Sequence, residues 1–460
     1  MEKITLAEVA AAVGGAIIGD QKKAGAVEIT DICIDSRSVE EGCLFFAIVG
    51  ENFDGHTFVR TALNTGAAAA VCSSYVEGVN APIIMVGDTR TALLRLAGWW
   101  RKRFDIHVVG LTGSVGKTTT KDMVAAVLRQ RYDTLATEGN LNNEIGLPRM
   151  CLRLNKSHQA AVFEMGMSGF GEISRLTRTA CPTIGLITNI GVSHIEQLGS
   201  REGILKAKME ILEGMDKDAP LILNGDDDML ITAASGRKNV LLYGIDNEDA
   251  DCRACDVELG EEGIRFILIY KEQSYQVELP VVGRHNVYNA CAAFLCGVTA
   301  GVEPEAALRG LRDYIPDSRR QKIVRKKGIT FIEDCYNASP DSISASLAVL
   351  RALPCEGKRV AVLGDMLELG DYARKAHHDC GVAARDNGVN ILLAFGTNAI
   401  YYMEGAGETV HSRLYDDKAE MAADLADMLK AGDAVLFKAS RGMKLEEVIA
   451  QTYKNLGIAE

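Results

Sequence analysis

The first part of the chain alternates short apolar runs with polar and glycine-containing segments. Apolar positions at helical spacing predict a helix over Leu6–Val13, and the two glycines that follow are a typical end signal. Three apolar runs, at residues 42–48, 67–72 and 83–86, are short enough to be strands. The pattern therefore predicts a small domain that mixes strands and helices.

A second pattern begins near residue 105, where an apolar run is followed by glycines and then by helical spacing. His107–Thr112 is predicted as a strand. The segment 118–132 is predicted as a helix, because four of its apolar residues share one face: Met123, Val124, Val127 and Leu128. Further strands are predicted at Ala160–Glu164, 184–188 and Leu221–Asn224. Strands that alternate with helices predict a mostly parallel sheet covered on both faces.

The last part of the chain repeats this alternation of strands and helices. Strands are predicted at 329–333, 359–363, 390–395 and Ala434–Lys438. Helices are predicted between them at 342–352, 373–385 and 418–430. This order is typical of a doubly wound, Rossmann-like domain.

Length supports a division into three parts, since 460 residues at about 150 residues per domain give about three domains. We predict an α/β protein with a small α/β N-terminal domain at residues 1–104. A central domain with a mostly parallel sheet, like that of P-loop ATPases, follows at 105–316. A C-terminal Rossmann-like domain occupies 317–460.

Composition excludes several classes of protein. The hydrophobic fraction of 47% and the charged fraction of 24% are ordinary for a globular protein, and the formal net charge of −12 argues against a nucleic-acid partner. No apolar run reaches the roughly 18 residues of a membrane span, and the N-terminus does not resemble a secretory signal. Only Cys252 and Cys255 of the twelve cysteines form a C-x-x-C pair, so we expect idle thiols and a cytoplasmic protein.

The strongest chemical signal is the glycine-lysine segment GSVGKTT at residues 113–119, which lies between a predicted strand and a predicted helix. Glycines let backbone N–H groups curl around a phosphate, and the helix start adds further donors. The predicted nucleotide contacts are Gly113, Ser114, Val115, Gly116, Lys117, Thr118 and Thr119. Lys117 would reach the outer phosphates and Thr118 would bind Mg²⁺. The strict Walker pattern places a glycine at position 111, which is leucine here.

Three other polar positions are weaker candidates on their own. Glu164 ends a predicted strand, where a carboxylate is well placed for Mg²⁺, although an ordinary edge glutamate fits the same pattern. His194 follows another predicted strand and, taken alone, is more typical of a structural histidine. Lys206 and Lys208 lie in a predicted helix and, taken alone, indicate a solvated face.

A series of ordered motifs spans the chain. They occupy residues 34–58, 111–122, 137–148, 163–173, 188–200, 206–211, 283–293, 318–321, 334–342, 364–370 and 438–448. Among them are TEGNLNNEIGLP, FEMGMSGFGEI, TNIGVSHIEQLGS and DCYNASPDS. In these motifs the chain resembles the Mur ligases of bacterial peptidoglycan synthesis, over essentially its whole length. The phosphate loop of that family also lacks the early glycine, which accounts for Leu111.

The resemblance implies roles for individual residues around ATP and Mg²⁺. It implies Mg²⁺ ligation by Thr118, Glu164, His194 and Lys208, with Lys208 as a carbamate, and catalytic roles for Lys117, Glu164, His194 and Lys208. It implies ATP contacts in the later motifs at Asn286, Asn289, Arg319, Asp334, Tyr336 and Asn337. Ser339 departs from the family, which often has asparagine at that position.

The resemblance also implies a second set of residues on the side of the other substrates. The N-terminal candidates are Ser36, Arg37, Asp54, Gly55 and His56, for which turn formation is the alternative role. Later candidates are Asn140, Asn142, Asn143, Lys438, Ser440 and Arg441.

The implied reaction joins a carboxylate to an amine through an acyl phosphate made from ATP. The segments GNLNNEIG and DCYNASP, and the absence of a D-N-P-R motif, favour the member of the family that adds a dipeptide. The expected substrates are then UDP-N-acetylmuramoyl-tripeptide and D-Ala-D-Ala. The protein itself is expected to be a monomer. A tripeptide that ends in lysine and one that ends in meso-diaminopimelate are both compatible with these segments. The alternatives are a Mur ligase that adds one amino acid, a folylpolyglutamate synthase-like ligase and, from a different class, a P-loop NTPase switch.

Overall fold

A computed structural model of the chain describes residues 1–18, 24–50, 52–261, 263–316 and 321–458. The chain divides into two compact units, each made of separate segments. The first unit comprises Met1–Thr112, Arg131–Leu186 and Met209–Pro220. The second unit comprises Gly113–Gln130, Ile187–Lys208 and Leu221–Glu460. The three domain boundaries proposed from the sequence stay predictions.

The N-terminal part of the first unit contains a five-stranded sheet. Its strands lie in the order Ala16–Ile18, Ile83–Met85, Ala69–Cys72, Cys43–Phe46 and Asp31–Cys33, and only the first pair is antiparallel. A two-stranded sheet, Ile4–Thr5 with Glu28–Ile29, and the helices Leu6–Val13, Val59–Thr65 and Thr89–Arg101 complete it. The predicted helix Leu6–Val13 is confirmed at both ends, because Thr5 and Glu8 form a capping box and Gly14 ends it in the left-handed conformation.

The rest of the first unit contains four strands of a second sheet. They lie in the order Ile184–Ile187, His107–Thr112, Ala160–Glu164 and Thr134–Ala136. The helices here are Gly146–Leu152 and Glu172–Ala180, with a short 3-10 helix at Glu210–Gly214. The predicted strands His107–Thr112 and Ala160–Glu164 are confirmed, and all five residues of the latter are buried, as in a parallel sheet covered on both faces.

The second unit begins with a group of strands that is only partly parallel. They lie in the order Gln273–Leu279, Ile264–Tyr270, Cys252–Leu259, Val240–Gly244 and Leu221–Asn224, and Ile264–Tyr270 is antiparallel to both of its neighbours. The helices here are Lys117–Leu128, Ile195–Leu198, Arg201–Met209, Asp228–Ala234, His285–Thr299 and Pro304–Arg312. The antiparallel ribbon of residues 252–279 is a departure from the predicted alternation of strands and helices.

The C-terminal part of the second unit is a six-stranded sheet. Its strands lie in the order Lys322–Lys326, Ile329–Asp334, Ala434–Lys438, Arg359–Gly364, Ile391–Phe395 and His411–Tyr415, and only the first pair is antiparallel. The helices of this part are Pro340–Ala352, Ala373–Asp386, Ile400–Ala406, Lys418–Met428 and Glu446–Asn455, with 3-10 helices at Gly370–Tyr372 and Arg441–Met443. A further 3-10 helix, Gly55–Phe58, belongs to the N-terminal part of the first unit. Neighbouring residues such as Phe331 and Ile332 enter separate cores on the two faces, which confirms the doubly wound prediction.

The cysteines form no disulfide, and all twelve are free thiols. Cys252 and Cys255 lie on one strand, Cys252–Leu259, where three residues of extended chain span about 10 Å, too far for a disulfide. No helix in the described part of the chain is long and apolar enough to cross a membrane.

Candidate active site

The phosphate loop, residues 113–116, directly precedes a helix and contains two glycines at which a side chain would force neighbouring atoms to move. Gly113 has a φ of +157°, and a Cβ built there would lie 1.8 Å from Oγ1 of Thr188. Gly116 has a φ of +81°, and its Cβ would lie 2.9 Å from Oδ1 of Asn289. Backbone conformation and close packing together therefore explain both glycines.

Residues 188–191 hold the middle of this loop through hydrogen bonds. The Asn189 side chain accepts from the Val115 N–H at 2.9 Å and donates to the Val115 carbonyl at 3.1 Å, and Thr188 Oγ1 donates to the same carbonyl at 2.7 Å. The Ser114 N–H donates to the Asn189 carbonyl at 3.1 Å, and Ser114 Oγ accepts from the Gly191 N–H at 2.9 Å. Thr188 and Asn189 were not among the predicted site residues, although Thr188 ends the predicted strand 184–188 and both residues begin the motif at 188–200.

The helix that follows the loop begins at Lys117, and its first residues are half-buried. The Lys117 ammonium donates to the carbonyl oxygens of Gly113 at 2.7 Å and Ser114 at 3.2 Å. Thr118 and Thr119 occupy the first turn, where backbone N–H groups have no partner within the helix. This arrangement is typical of a site for an anion such as phosphate.

Asn286 and Asn289 form a buried chain of amides beside the loop. Thr120 Oγ1 donates to Asn289 Oδ1 at 3.0 Å, and Asn289 Nδ2 donates to Asn286 Oδ1 at 2.9 Å. Asn286 Nδ2 donates in turn to the Val282 carbonyl at 2.8 Å. The predicted role of these residues as nucleotide contacts stays a prediction, but Asn289 also packs directly against Gly116 of the loop.

Glu164 ends its strand at the edge of the sheet where the phosphate loop begins. It lies in parallel register with Leu111, one residue before the end of the strand His107–Thr112. Its Oε1 accepts from Nδ2 of Asn142 at 2.7 Å, whereas its buried Oε2 has no hydrogen-bond partner within the described ranges. A buried anionic oxygen left this way is costly unless a ligand completes it, and carboxylate oxygen is a preferred ligand of Mg²⁺.

Burial distinguishes the two lysines of the helix Arg201–Met209. Lys206 is exposed, whereas Lys208 keeps only 2% of its surface exposed. Burial, and secondly the positive charge of Lys117, lower the pKa of Lys208 well below its ordinary value. An uncharged amine is the form that reacts with CO₂, so the environment of Lys208 suits the predicted carbamate.

His194 sits in a strained backbone conformation and touches a carboxylate. Its φ is +62°, which is uncommon for a residue with a side chain, and Glu368 has the same value. The Nδ1 atom of His194 lies 2.5 Å from Oε2 of Glu368. Hydrogen bonding to the imidazole lowers the pKa of Glu368. Contact between His194 and a carboxylate fixes the orientation of the imidazole, a common arrangement for a metal-binding histidine.

The C-terminal sheet brings Asp334 and Lys438 together. They end neighbouring parallel strands in direct register, and the Lys438 ammonium lies 2.5 Å from Oδ2 of Asp334. Ser346 Oγ donates to the same carboxylate oxygen at 2.8 Å, and Lys438 donates to the Asn337 carbonyl at 3.2 Å. Asp334, which was predicted to contact ATP, is thus bonded to Lys438, which was predicted to contact the other substrates.

The loop after Asp334 presents Tyr336, which is half-buried, and Asn337, which is exposed. Ser339 then caps the helix Pro340–Ala352, because its side chain accepts from the Ser342 N–H while Ser342 Oγ accepts from the Ser339 N–H. Serine and asparagine are comparable caps, so the departure from the family pattern at this position is conservative.

The remaining C-terminal candidates differ in exposure. Ser440 is buried, and its Oγ accepts from the Leu367 N–H at 3.0 Å. Arg441 has a side chain 69% exposed and pairs with Glu446 at 3.2 Å. Arg319 lies outside the described residues.

In the N-terminal part of the first unit, Asp54, Gly55 and His56 form a folded turn. Asp54 Oδ1 accepts from the His56 N–H at 2.9 Å and lies 2.6 Å from His56 Nδ1, while His56 Nε2 accepts from the Ser73 N–H at 2.9 Å. A Cβ at Gly55 would lie 2.6 Å from the Ile48 carbonyl oxygen. These contacts support the alternative role in turn formation, and substrate contact stays a prediction.

The other substrate-side candidates are more accessible. Arg37 has a side chain 88% exposed and pairs with Asp35 at 2.7 Å, which lowers the pKa of Asp35 to about 2. Ser36 is half-buried and Asn140 is exposed. Asn143 Oδ1 accepts from the first N–H groups of the following helix, at 2.8 and 3.1 Å.

Three family models match the chain in the order of the predicted domains. "Mur ligase family, catalytic domain" matches residues 28–99, "Mur ligase middle domain" matches 111–297, and "Mur ligase, glutamate ligase domain" matches 319–441. Together they account for most of the chain.

Individual relatives match over almost their whole length. The UDP-N-acetylmuramoyl-tripeptide--D-alanyl-D-alanine ligase of Bacillus subtilis is 39% identical, with 98% of both chains covered. The ligase of the same name from Escherichia coli K12 is 34% identical, with 95% of this chain and 97% of that protein covered.

Solved structures agree with this result. MurF from Acinetobacter baumannii superposes with a TM-score of 0.93 at 32% identity, with 99% of both chains covered. MurF from Thermotoga maritima in complex with ADP gives a TM-score of 0.84 at 30% identity, with 93% of this chain and 98% of that chain covered.

Proposed function

Since the chain belongs to the Mur ligase family, we propose that it is the ATP-dependent ligase that adds D-Ala-D-Ala to UDP-N-acetylmuramoyl-tripeptide. The observation that carries this proposal is the 39% identity, over 98% of both chains, to a relative that bears the name of this activity. The expected setting is the cytoplasmic part of peptidoglycan synthesis.

The chemistry requires two steps, because a carboxylate is a poor acyl donor. The terminal carboxylate of the tripeptide attacks the γ-phosphorus of ATP, which forms an acyl phosphate and releases ADP. The amine of D-Ala-D-Ala then attacks the acyl carbon, phosphate leaves, and the amine loses a proton as the amide forms. The attacking carboxylate is already ionised near neutral pH, so the first step needs no general base.

The phosphate loop supplies the positioning that phosphoryl transfer depends on. We assign the ATP phosphates to residues 113–119. The N–H groups of Ser114 and Val115 are bonded to Asn189, so the N–H groups assigned to the phosphates are those of residues 116–119, where the loop meets the helix. Lys117 and the positive end of the following helix would balance the negative charge that the transferred phosphate carries. Asn286, Asn289, Asp334, Tyr336 and Asn337 complete the proposed ATP contacts.

We assign Mg²⁺ ligation to Thr118, Glu164, His194 and the carbamate of Lys208. The fit rests on the buried Oε2 of Glu164, which has no hydrogen-bond partner in the described part of the chain, and on the preference of Mg²⁺ for carboxylate and phosphate oxygens. When bound, Mg²⁺ would neutralise charge on the phosphates.

Carbamylation of Lys208 would convert a buried amine into an anion. The uncharged amine attacks CO₂, a C–N bond forms, and one proton is released to solvent. The lowered pKa of Lys208 supports this step, because the amine is then uncharged over more of the pH range. The resulting oxygens suit a site that holds Mg²⁺.

The second substrate, UDP-N-acetylmuramoyl-tripeptide, is assigned to candidate residues of the first unit. We assign the uridine nucleotide to the N-terminal candidates Ser36, Arg37 and residues 54–56, with Asn140, Asn142 and Asn143 further along. The proposal includes a tripeptide that ends in lysine and one that ends in meso-diaminopimelate.

Release of phosphate from ATP tests the assignment. Purified enzyme with Mg²⁺ and UDP-N-acetylmuramoyl-tripeptide is assayed with D-Ala-D-Ala, with single amino acids, and with no acceptor. We expect phosphate release that depends on the dipeptide, and a product whose mass shows the addition of one D-Ala-D-Ala unit. Release that ignores the dipeptide, or that requires a free amino acid, would show that a different ligase or NTPase activity is present.

A further inference from the structure

We propose that Lys438 is a positioning residue for the ATP side of the site, and that Arg441, rather than Lys438, is the cation available to the carboxylate of the incoming dipeptide. This inference rests on the proposed ligase function and refines the roles of two residues within it. It follows from the burial and contacts of the two cations. Lys438 is the last residue of the strand Ala434–Lys438, and Arg441 lies just after that strand.

Lys438 is committed to contacts inside the protein. Only 3% of its side chain is exposed, and its ammonium lies 2.5 Å from Oδ2 of Asp334 and 3.2 Å from the Asn337 carbonyl. Both contacts fall on the segment 334–337, which is assigned to ATP. Contact with the dipeptide would require this buried ammonium to move away from the Asp334 carboxylate, which would lose a charge-assisted bond to a buried anion.

The carboxylate of Asp334 is held from two sides. Oδ2 receives the Lys438 ammonium and the hydroxyl of Ser346, which projects from the helix Pro340–Ala352. The parallel register of Asp334 with Lys438 brings the two residues level at the ends of adjacent strands. Two charge-assisted bonds to one oxygen fix the rotation of the carboxylate and, through Asn337, the course of the loop.

Arg441 has the opposite properties. Its side chain is 69% exposed, and its contact with Glu446 at 3.2 Å is a surface ion pair of the kind that contributes little to stability. A guanidinium is suited to bidentate recognition of a carboxylate, which is the group at the C-terminal end of the dipeptide. Burial therefore commits Lys438 to Asp334 and leaves Arg441 accessible to a ligand.

Steady-state kinetics with each substrate varied in turn, together with calorimetric binding of ADP, test this division. The variants are Lys438→Met, Ser346→Ala and Arg441→Gln, with Lys454→Met as a control at an exposed lysine. Lys438→Met and Ser346→Ala are expected to raise the KM for ATP and the Kd for ADP by about tenfold, and to leave the KM for D-Ala-D-Ala within about twofold. Arg441→Gln is expected to show the reverse pattern, and Lys454→Met neither.

A rise in the KM for D-Ala-D-Ala with Lys438→Met or Ser346→Ala, at unchanged affinity for ADP, would overturn the inference. If Lys438→Met does not fold, Ser346→Ala decides alone, because it removes a contact to Asp334 without leaving an unpaired buried charge. Failure of the proposed function is distinguishable, since the wild type would then not use the dipeptide at all. The ADP measurement would still report whether Lys438 and Ser346 act on the nucleotide.

Discussion

Replacing Gly116 by alanine is expected to weaken both the fold and nucleotide binding, and the chain offers a closely matched control. Gly116 and Gly236 have φ values of +81° and +82°, so an alanine is equally strained at either position. A Cβ at Gly116 would lie 2.9 Å from Oδ1 of Asn289, whereas at Gly236 it would meet no atom within 4 Å. The difference between the two variants therefore isolates the contact between the phosphate loop and Asn289.

The expected magnitudes follow from these geometries. A left-handed alanine costs about 1 kcal/mol relative to glycine, and Gly236→Ala should lose about that amount. At Gly116 the oxygen of Asn289 must also retreat by a few tenths of an ångström, which strains the hydrogen bond that it accepts from Thr120 at 3.0 Å. Loss of that bond adds about 1 kcal/mol, so Gly116→Ala should lose about 2 kcal/mol.

Urea unfolding measures the stability change, and calorimetric titration with ADP measures binding. Gly116→Ala is expected to bind ADP about tenfold more weakly, because its loop N–H groups are displaced, whereas Gly236→Ala should bind ADP as the wild type does. Equal stability losses for the two variants, with unchanged ADP affinity for Gly116→Ala, would refute the packing argument. The loop would then not depend on its contact with Asn289.

Three further substitutions test single features of the site. Because the pKa of Lys208 is lowered, the unfolded chain binds one more proton than the folded chain at pH values between the folded-state pKa and about 10.4, and the free energy of unfolding rises with pH in that range. Lys208→Met should flatten this rise, as measured by urea unfolding at several pH values in CO₂-free buffer. Glu164→Gln keeps an acceptor for Asn142, so the free energy of unfolding should change by no more than about 1 kcal/mol. The rate of phosphate release should fall about a hundredfold, because a metal ligand is lost. A wild-type rate would exclude Glu164 from the metal site. Ser440→Ala removes the acceptor of the Leu367 N–H, and chemical denaturation should show a loss of about 1 kcal/mol.

Local sequence patterns predicted eleven of the 22 strands in the described part of the chain and fewer than half of its helices. The strands His107–Thr112, Ala160–Glu164, Leu221–Asn224 and Ala434–Lys438 have their predicted bounds, because each is a continuous apolar run ended by a polar or glycine-rich segment. The antiparallel ribbon was missed because its turns carry an unusual signal. Lys271 and Glu272 both have positive φ values in the two-residue connection between Ile264–Tyr270 and Gln273–Leu279, where glycine, asparagine or aspartate is typical.

The candidate site was less accessible to sequence reasoning, because its contacts join distant parts of the chain. Asp334 and Lys438 are 104 residues apart, and they meet only because their strands are neighbours in the sheet. Strand order is a property of packing and leaves no mark in a local pattern. The choice between Lys206 and Lys208 was similar, since helical spacing places them on different faces but does not indicate which face is buried.

The construction of the phosphate loop has a consequence for inhibitor resistance. The loop is held through main-chain atoms of Ser114 and Val115, and Gly113 and Gly116 leave no room for a side chain. A compound that hydrogen-bonds to the N–H groups where the loop meets the helix would contact main-chain atoms that a point mutation does not replace. Substitutions at the two glycines would displace those N–H groups and weaken the binding of nucleotide and inhibitor together, so resistance through the loop itself would also lower the ligase activity.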